Sequence, residues 1–242
     1  MRRRAEAMRS KAERTKLAPA DARNAFFYHT SNAMMNYAVS MGLIHTASHA
    51  QGQRTGDIVV DIVVRDLFGK PLLSFYMAKL RAHLFLEVWF GFEDALRILY
   101  DAVVPPEVRE KDLAAERDKY KKPPKRVRLS IPFLWGRVSK LAEKPSRRSG
   151  RRRGRHREVV EFCAASRNTI HSNRIYDGSP RALKIGKRTI RLIPGAPTDF
   201  ESIAVLPKLI DELAAAASYL RQGIRHAGFI KTPVTGRPSP YK

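Results

Sequence analysis

Apolar residues return at helical intervals along most of the chain. Phe27, Ser31, Met34, Ala38 and Met41 share one face of a helix that Pro19 and Asp21 signal at its start and that ends by Gly52. A longer run, from Pro71 to about Val104, places Leu72, Phe75, Lys79, Leu80, Leu84, Phe90, Leu96 and Leu99 on one broad side before Pro105 and Pro106 stop it. Ile131, Leu134, Val138 and Leu141 predict a short helix within 131–143. Val159, Cys163, Ser166 and Ile170 form the inward stripe of another, about 157–173. Leu206, Ile210, Leu213, Ala217, Leu220 and Ile224 alternate steps of four and three over roughly 199–226, a seam that needs a helical partner, with Pro207 starting or kinking the helix.

Elsewhere the pattern changes. "ALKIGKRTIRL" reads as a hairpin with Gly186-Lys187 at a type II′ turn. "GDIVVDIVVRDLFG", between Gly56 and Gly69, fits a short strand or a buried helix, and we read it as helix. Residues 1–16 mix Arg, Lys, Glu and Ala as a frayed, solvated helix or arm would. "REKDLAAERDKYKKPPKRVRLS" is a charged connector broken at "KKPPK", and "KTPVTGRPSPYK" is a Pro-rich, polar tail expected to be disordered. There is no internal repeat. The expectation is a mainly all-α protein, a helical bundle with one small β-hairpin. It divides into a basic arm over 1–18, a helical domain over 19–230 with a basic insertion near 107–156, and a tail over 231–242.

Charge sets the partner class. The net charge is +23, from 46 Lys+Arg against 23 Asp+Glu, and such an excess repels itself unless it meets a polyanion. Nucleic acid leads, although anionic membranes and ribosomes attract the same charge. Within "HLFLEVWFGFEDALRILYDAVV" the charged Glu87, Glu93, Asp94 and Arg97 argue against a membrane span. The basic N-terminus lacks the apolar stretch of a secretion signal. The single cysteine, Cys163, excludes an internal disulfide and a cysteine zinc cluster, and it fits a reducing, cytoplasmic setting as a buried, inert thiol.

The chemistry concentrates in "ASRNTIHSNRIY". Arg167 and His171 are four positions apart, on one face of a helix, so guanidinium and imidazole can both reach one phosphate. Cleavage of an RNA phosphodiester uses the substrate's own 2′-hydroxyl, a proton-transfer group that works near neutral pH, and a cation at the phosphate. Histidine supplies the second and arginine the third. Asn168 can orient the imidazole or bind a phosphate oxygen. A structural role, with Arg167 and His171 paired to carboxylates such as Glu87 or Asp94, is the other reading of the same residues.

Upstream, "RRSGRRRGRHR" supplies Arg147, Arg148, Arg151, Arg152, Arg153, Arg155 and Arg157. Its glycines oppose a stable helix, so it reads as a disordered phosphate-binding arm or a solvated loop, with Arg174 a further RNA contact. His45 and His49 in "HTASH" also sit four apart, but no third ligand accompanies them, so no metal and no cofactor is expected. There is no glycine-rich phosphate loop, nucleophile elbow or RNA-recognition-motif signature.

"SRNTIHSNRIY", placed after a long basic-to-apolar helix and before a turn and a late amphipathic helix, resembles the motif of HEPN domains, a helical superfamily of nucleotide-binding proteins and ribonucleases. The resemblance covers this motif and the helix order from about 71 to 226, and leaves residues 1–70 unexplained. It implies a helical bundle, a homodimer in which two motifs face each other, and metal-independent endoribonuclease activity. A toxin or phage-defence role would add an antitoxin or regulatory protein as a partner. Residue by residue, Arg167 would hold the scissile phosphate, His171 would be the acid or base and Asn168 the polar helper, with Asn173 and Tyr176 as subsidiary contacts. Only three residues separate Arg167 from His171, fewer than in the common ribonuclease form of the family. A non-catalytic HEPN-like module that binds RNA or protein is therefore the alternative.

Overall fold

A computed structural model describes residues 1–18, 20–49, 70–120, 127–142, 147–171, 175–196, 205–224 and 227–230, with side chains except at 47–49, 70–72, 147–151 and 171. The chain is mainly α-helical with one small antiparallel hairpin. Seven helices lie among the described residues: α1 (Arg2–Glu13), α2 (Ala22–His49), α3 (Lys70–Val103), α4 (Pro106–Arg117), α5 (Ile131–Leu141), α6 (Arg147–His171) and α7 (Leu206–Gly223). Between α6 and α7 run β1 (Arg181–Ile185) and β2 (Arg188–Leu192).

The long helix α3 is the axis of the bundle, with α2, α5, α6 and α7 packed against it. Its buried face carries Phe85, Val88, Trp89, Phe92 and Leu96. Phe92 meets Phe26 of α2 edge to face at 5.7 Å, stacks with Trp89 at 5.8 Å and lies 6.3 Å from Trp135 of α5, so three helices share one aromatic cluster. The predicted stripe of α6 is buried at Val159, Cys163 and Ser166 and half-buried at Ile170. The seam of α7 is buried at Leu206, Ile210, Leu213 and Leu220, and Pro207 sits in its first turn, where its missing N–H costs nothing.

Three segments differ from the sequence reading. Residues 1–16 are not a solvated arm: α1 buries Ala5, Met8 and Ala12 against α2, and the Ser31 hydroxyl donates to the Ala5 carbonyl at 2.8 Å. The first half of the charged connector is a helix, α4, because Pro106 at N1 starts it as readily as it ends α3. Buried Asp112 anchors α4, accepting from the Tyr100 hydroxyl at 2.9 Å and from Arg137. The arginine tract is the first part of α6, not a disordered arm. Gly150 and Gly154 each cost about 1 kcal/mol against alanine, while the other arginines favour helix and His156 packs on Trp135 and Tyr219 at 6.2 and 5.4 Å. The 56–69 segment, the "KKPPK" break, residues 199–204 of the predicted last helix and the tail over 231–242 lie outside the described residues.

The start of α2 closes the bundle. The Asp21 carboxylate caps the helix by accepting from the Arg23 backbone N–H at 2.9 Å. It also pairs with the Arg23 guanidinium at 2.6 Å, both groups being fully buried. The same guanidinium donates to the carbonyls of Ile224, Ala227 and Gly228, satisfying acceptors beyond the end of α7.

Candidate functional site

Arg167 and Asn168 open onto a cleft of about 560 Å³ between α3, the lead-in to α5 and the second half of α6. Trp89, Glu93 and Arg97 of α3 line it, as do residues 128–132, and Glu161, Ala164 and Ala165 of α6. The two alanines leave the space that larger side chains would fill. Tyr176 to Ser179 and Arg181 complete the lining, and the Tyr176 hydroxyl donates to the Ser179 carbonyl at 2.6 Å. This turn requires glycine at 178: a Cβ there would stand 2.5 Å from the Tyr176 hydroxyl oxygen.

Two of the cleft's carboxylates already have cations. Glu93 accepts from Arg97 at 2.7 Å, and Arg97 also donates to the Leu129 carbonyl at 3.3 Å. Glu161 accepts from Arg157 at 2.7 Å and faces Arg181 at 3.5 Å. Arg167 differs. Its guanidinium donates to the Asn168 side-chain oxygen at 3.1 Å and lies 5.9 Å from the Phe90 ring centroid. It has no carboxylate partner among the described residues, and its Nε is buried without a hydrogen bond. Neither Glu87 nor Asp94 holds it: Glu87 faces His29 and His83 instead. Arg128, exposed on the α5 lead-in, is a second lining cation without a carboxylate partner among the described residues.

His171 is the last residue of α6, one turn beyond Arg167; its side chain, and all of Asn173 and Arg174, lie outside the described residues. The side chains of Arg147, Arg148 and Arg151 do too. The rest of the tract divides. Arg155 is held by Glu212 at 3.2 Å, by Glu158 at 3.6 Å and by the Lys184 carbonyl, so it ties α6 to α7 and β1. Arg157 is engaged by Glu161, Arg153 is half-buried with a partner, and Arg152 is exposed. His156 is held below the ordinary imidazole value because burial penalises its charged form, an effect that Glu212 opposes and that Arg155 and Arg152 reinforce. Cys163 is fully buried and its thiol is pushed up by burial and by Glu212, which makes it inert.

Glu93, Arg97, Arg128, Glu161 and Arg181 were not singled out by the sequence as cleft residues. Glu93 with Arg97, and Glu161 with Arg157, carry a local signal, acid and base four apart. A second groove, about 360 Å³ between α2 and α3, contains His29, His83 and Glu87. There the His29 Nε2 lies 2.8 Å from the Glu87 carbonyl oxygen, and its ring rests on Gly91, where a Cβ would come 2.4 Å from its Cδ2, so this histidine serves helix packing. Among the described residues no three His, Cys, Asp or Glu side chains are grouped to hold a metal ion, and no helix is long and apolar enough to cross a membrane.

Comparison of the chain with family models, curated proteins and solved structures gives no match.

Proposed function

We propose that the cleft binds single-stranded RNA and that the chain is a metal-independent endoribonuclease of the HEPN type. One observation carries this reading: Arg167 stands half-buried in a sizeable cleft with no carboxylate among the described residues to neutralise it. A half-buried guanidinium without an anion is under-satisfied, and a phosphate supplies both the charge and the two-oxygen geometry that its planar fork matches.

In the proposed reaction the 2′-oxygen bonds to phosphorus as the bond to the 5′-oxygen breaks. The 2′-hydroxyl proton goes to a base, and a second proton goes to the departing 5′-oxygen. Arg167 stabilises the charge that grows on the non-bridging oxygens, Asn168 fixes the guanidinium through its side-chain oxygen, and His171 transfers one proton. The motif has one imidazole, so a symmetric dimer would bring the second acid–base group from another copy.

Labelled RNA incubated in EDTA tests the reading. His171→Ala is expected to abolish cleavage with binding largely kept, and Arg167→Ala to weaken both. Mixing the two variants should restore only a small fraction of activity if each composite site needs all four residues. Full cleavage by either variant rejects the catalytic assignment, and a strictly monomeric active protein rejects the shared site. RNA binding without cleavage in the wild type would leave the non-catalytic module.

A further inference from the structure

The β1–β2 hairpin, like the arginine tract that opens α6, carries cations with no acid among them. Residues 181–192 hold five cations, Arg181, Lys184, Lys187, Arg188 and Arg191, and no acid. All five are exposed. On α1 and further along α6, exposed arginines alternate with glutamates one turn away, as in Arg2–Glu6, Arg9–Glu13 and Arg157–Glu161. Here only Arg181 has a carboxylate neighbour among the described residues, Glu161.

The fold fixes which way this ribbon faces. Leu183 pairs with Ile190, and with Ile185 and Leu192 they are buried. The opposite face therefore carries Ala182, Lys184, Thr189 and Arg191. Lys184 and Arg191 are diagonal neighbours across the strands, about 7–8 Å apart, comparable to the step between successive phosphates of one strand. Gly186, at φ +60°, makes the tight turn that brings Lys187 and Arg188 to the tip.

Two contacts set the direction of the ribbon. Arg181 meets Glu161, and the Lys184 carbonyl accepts from Arg155. Three strand residues, about 10 Å, thus span the same distance as six helical residues, about 9 Å. β1 therefore runs antiparallel to α6, from the cleft, which Arg181 lines, toward the arginine-rich first turns of α6, where Arg152 is exposed.

We infer that the outer face and tip of this hairpin are a second RNA-contacting surface, which grips the backbone of a single strand as it leaves the cleft. The ribbon's charge and direction stand by themselves; the choice of RNA as the polyanion rests on the reading of the cleft. An anionic membrane fits less well. The tip is Gly186-Lys187, without the aromatic or long apolar side chains that insert into an interface, and exposed Ile193 follows β2 at the cleft end.

The test uses the full chain, with Lys184, Lys187, Arg188 and Arg191 all changed to Ala, and labelled oligouridylates of about 16 and about 4 nucleotides. The long strand reaches the hairpin; the short one fills only the cleft. For the long strand the slope of log affinity against log salt should flatten by about 0.7 for each phosphate that the variant no longer neutralises, up to about 2.8 in all, with the short strand unaffected. The charge-keeping variant Lys184→Arg with Arg191→Lys should behave as wild type, and the thermal melting of both variants should match it, since every changed side chain is exposed. An unchanged slope on the long strand overturns the inference, as does loss of binding to phosphatidylserine vesicles with RNA binding intact. Arg167→Ala separates the two ideas: if it leaves the short strand's affinity unchanged while the hairpin variant still flattens the long strand's slope, the cleft reading fails and the hairpin stands.

Discussion

His156 shows how one residue in a basic tract can serve the core. Its ring packs against Trp135 and Tyr219, and the charged groups facing it are Glu212 of α7 and Arg155 and Arg152 of its own helix. Its folded pKa is lowered from 6.5, so the unfolded chain takes up the proton first as pH falls. Stability should accordingly be flat above about pH 6.5 and decline as pH falls from there to the folded pKa, below which the loss is complete. His156→Phe keeps a ring in the site and removes the titration. Thermal melting across about pH 5 to 7.5 should lose this slope in the variant; an identical slope in both proteins would mean that another group causes it.

On helices α2 and α3 a single glycine decides the spacing. Alanine in a helix interior is ordinarily favoured over glycine by about 1 kcal/mol. At Gly91, however, the new Cβ would stand 2.4 Å from His29 Cδ2 and 3.3 Å from its Cβ, so the whole side chain must move away from the Glu87 carbonyl. Overpacking of about 1–3 kcal/mol outweighs the propensity gain. Gly91→Ala should be destabilising in denaturant melts, and His29→Ala in the same chain should recover most of that destabilisation, a coupling that a double-mutant cycle reads directly.

The helices that the sequence displayed best are those whose inward positions are large and apolar, as in α3, α5 and α7. The packed face of α1 was hidden because its buried positions are Ala5, Met8 and Ala12, small or isolated among charges, and the helix α4 because a proline pair marks a stop and a start equally well. The helical start of α6 depends on packing against α5, β1 and α7 that no local pattern contains. The same division holds in the cleft: Arg167 and Asn168 were legible because they belong to one short motif on a single helix, whereas Arg128 and Arg181 reach it from separate segments that only the tertiary fold brings together.

At the scale of the molecule, the Asp21–Arg23 pair joins the beginning of α2 to Ile224, Ala227, Gly228 and Ile230. Burial alone would raise the Asp21 carboxyl, but the hydrogen bonds and charge of Arg23 and the Ile230 backbone N–H outweigh it and lower the pKa from 3.8. Its contribution is therefore present above about pH 3.9 and lost as pH falls through the folded value. Arg23→Ala leaves the buried carboxylate without its cation and three carbonyls without the guanidinium, and should cost about 3–5 kcal/mol in urea unfolding; a cost below about 1 kcal/mol would be that of an exposed pair.

This junction also orders events in time. Arg23 and the Ile224 carbonyl it contacts are 201 positions apart, so during synthesis residues 21–23 leave the ribosome long before their acceptors exist. Until then both ions stay hydrated. Their dehydration comes only when Ile224, Ala227, Gly228 and Ile230 dock, after the entropy of closing so long a loop has been met by the helices in between. The N-terminal helix pair thus waits as an open cradle, and the last described stretch of the chain is the latch that shuts it.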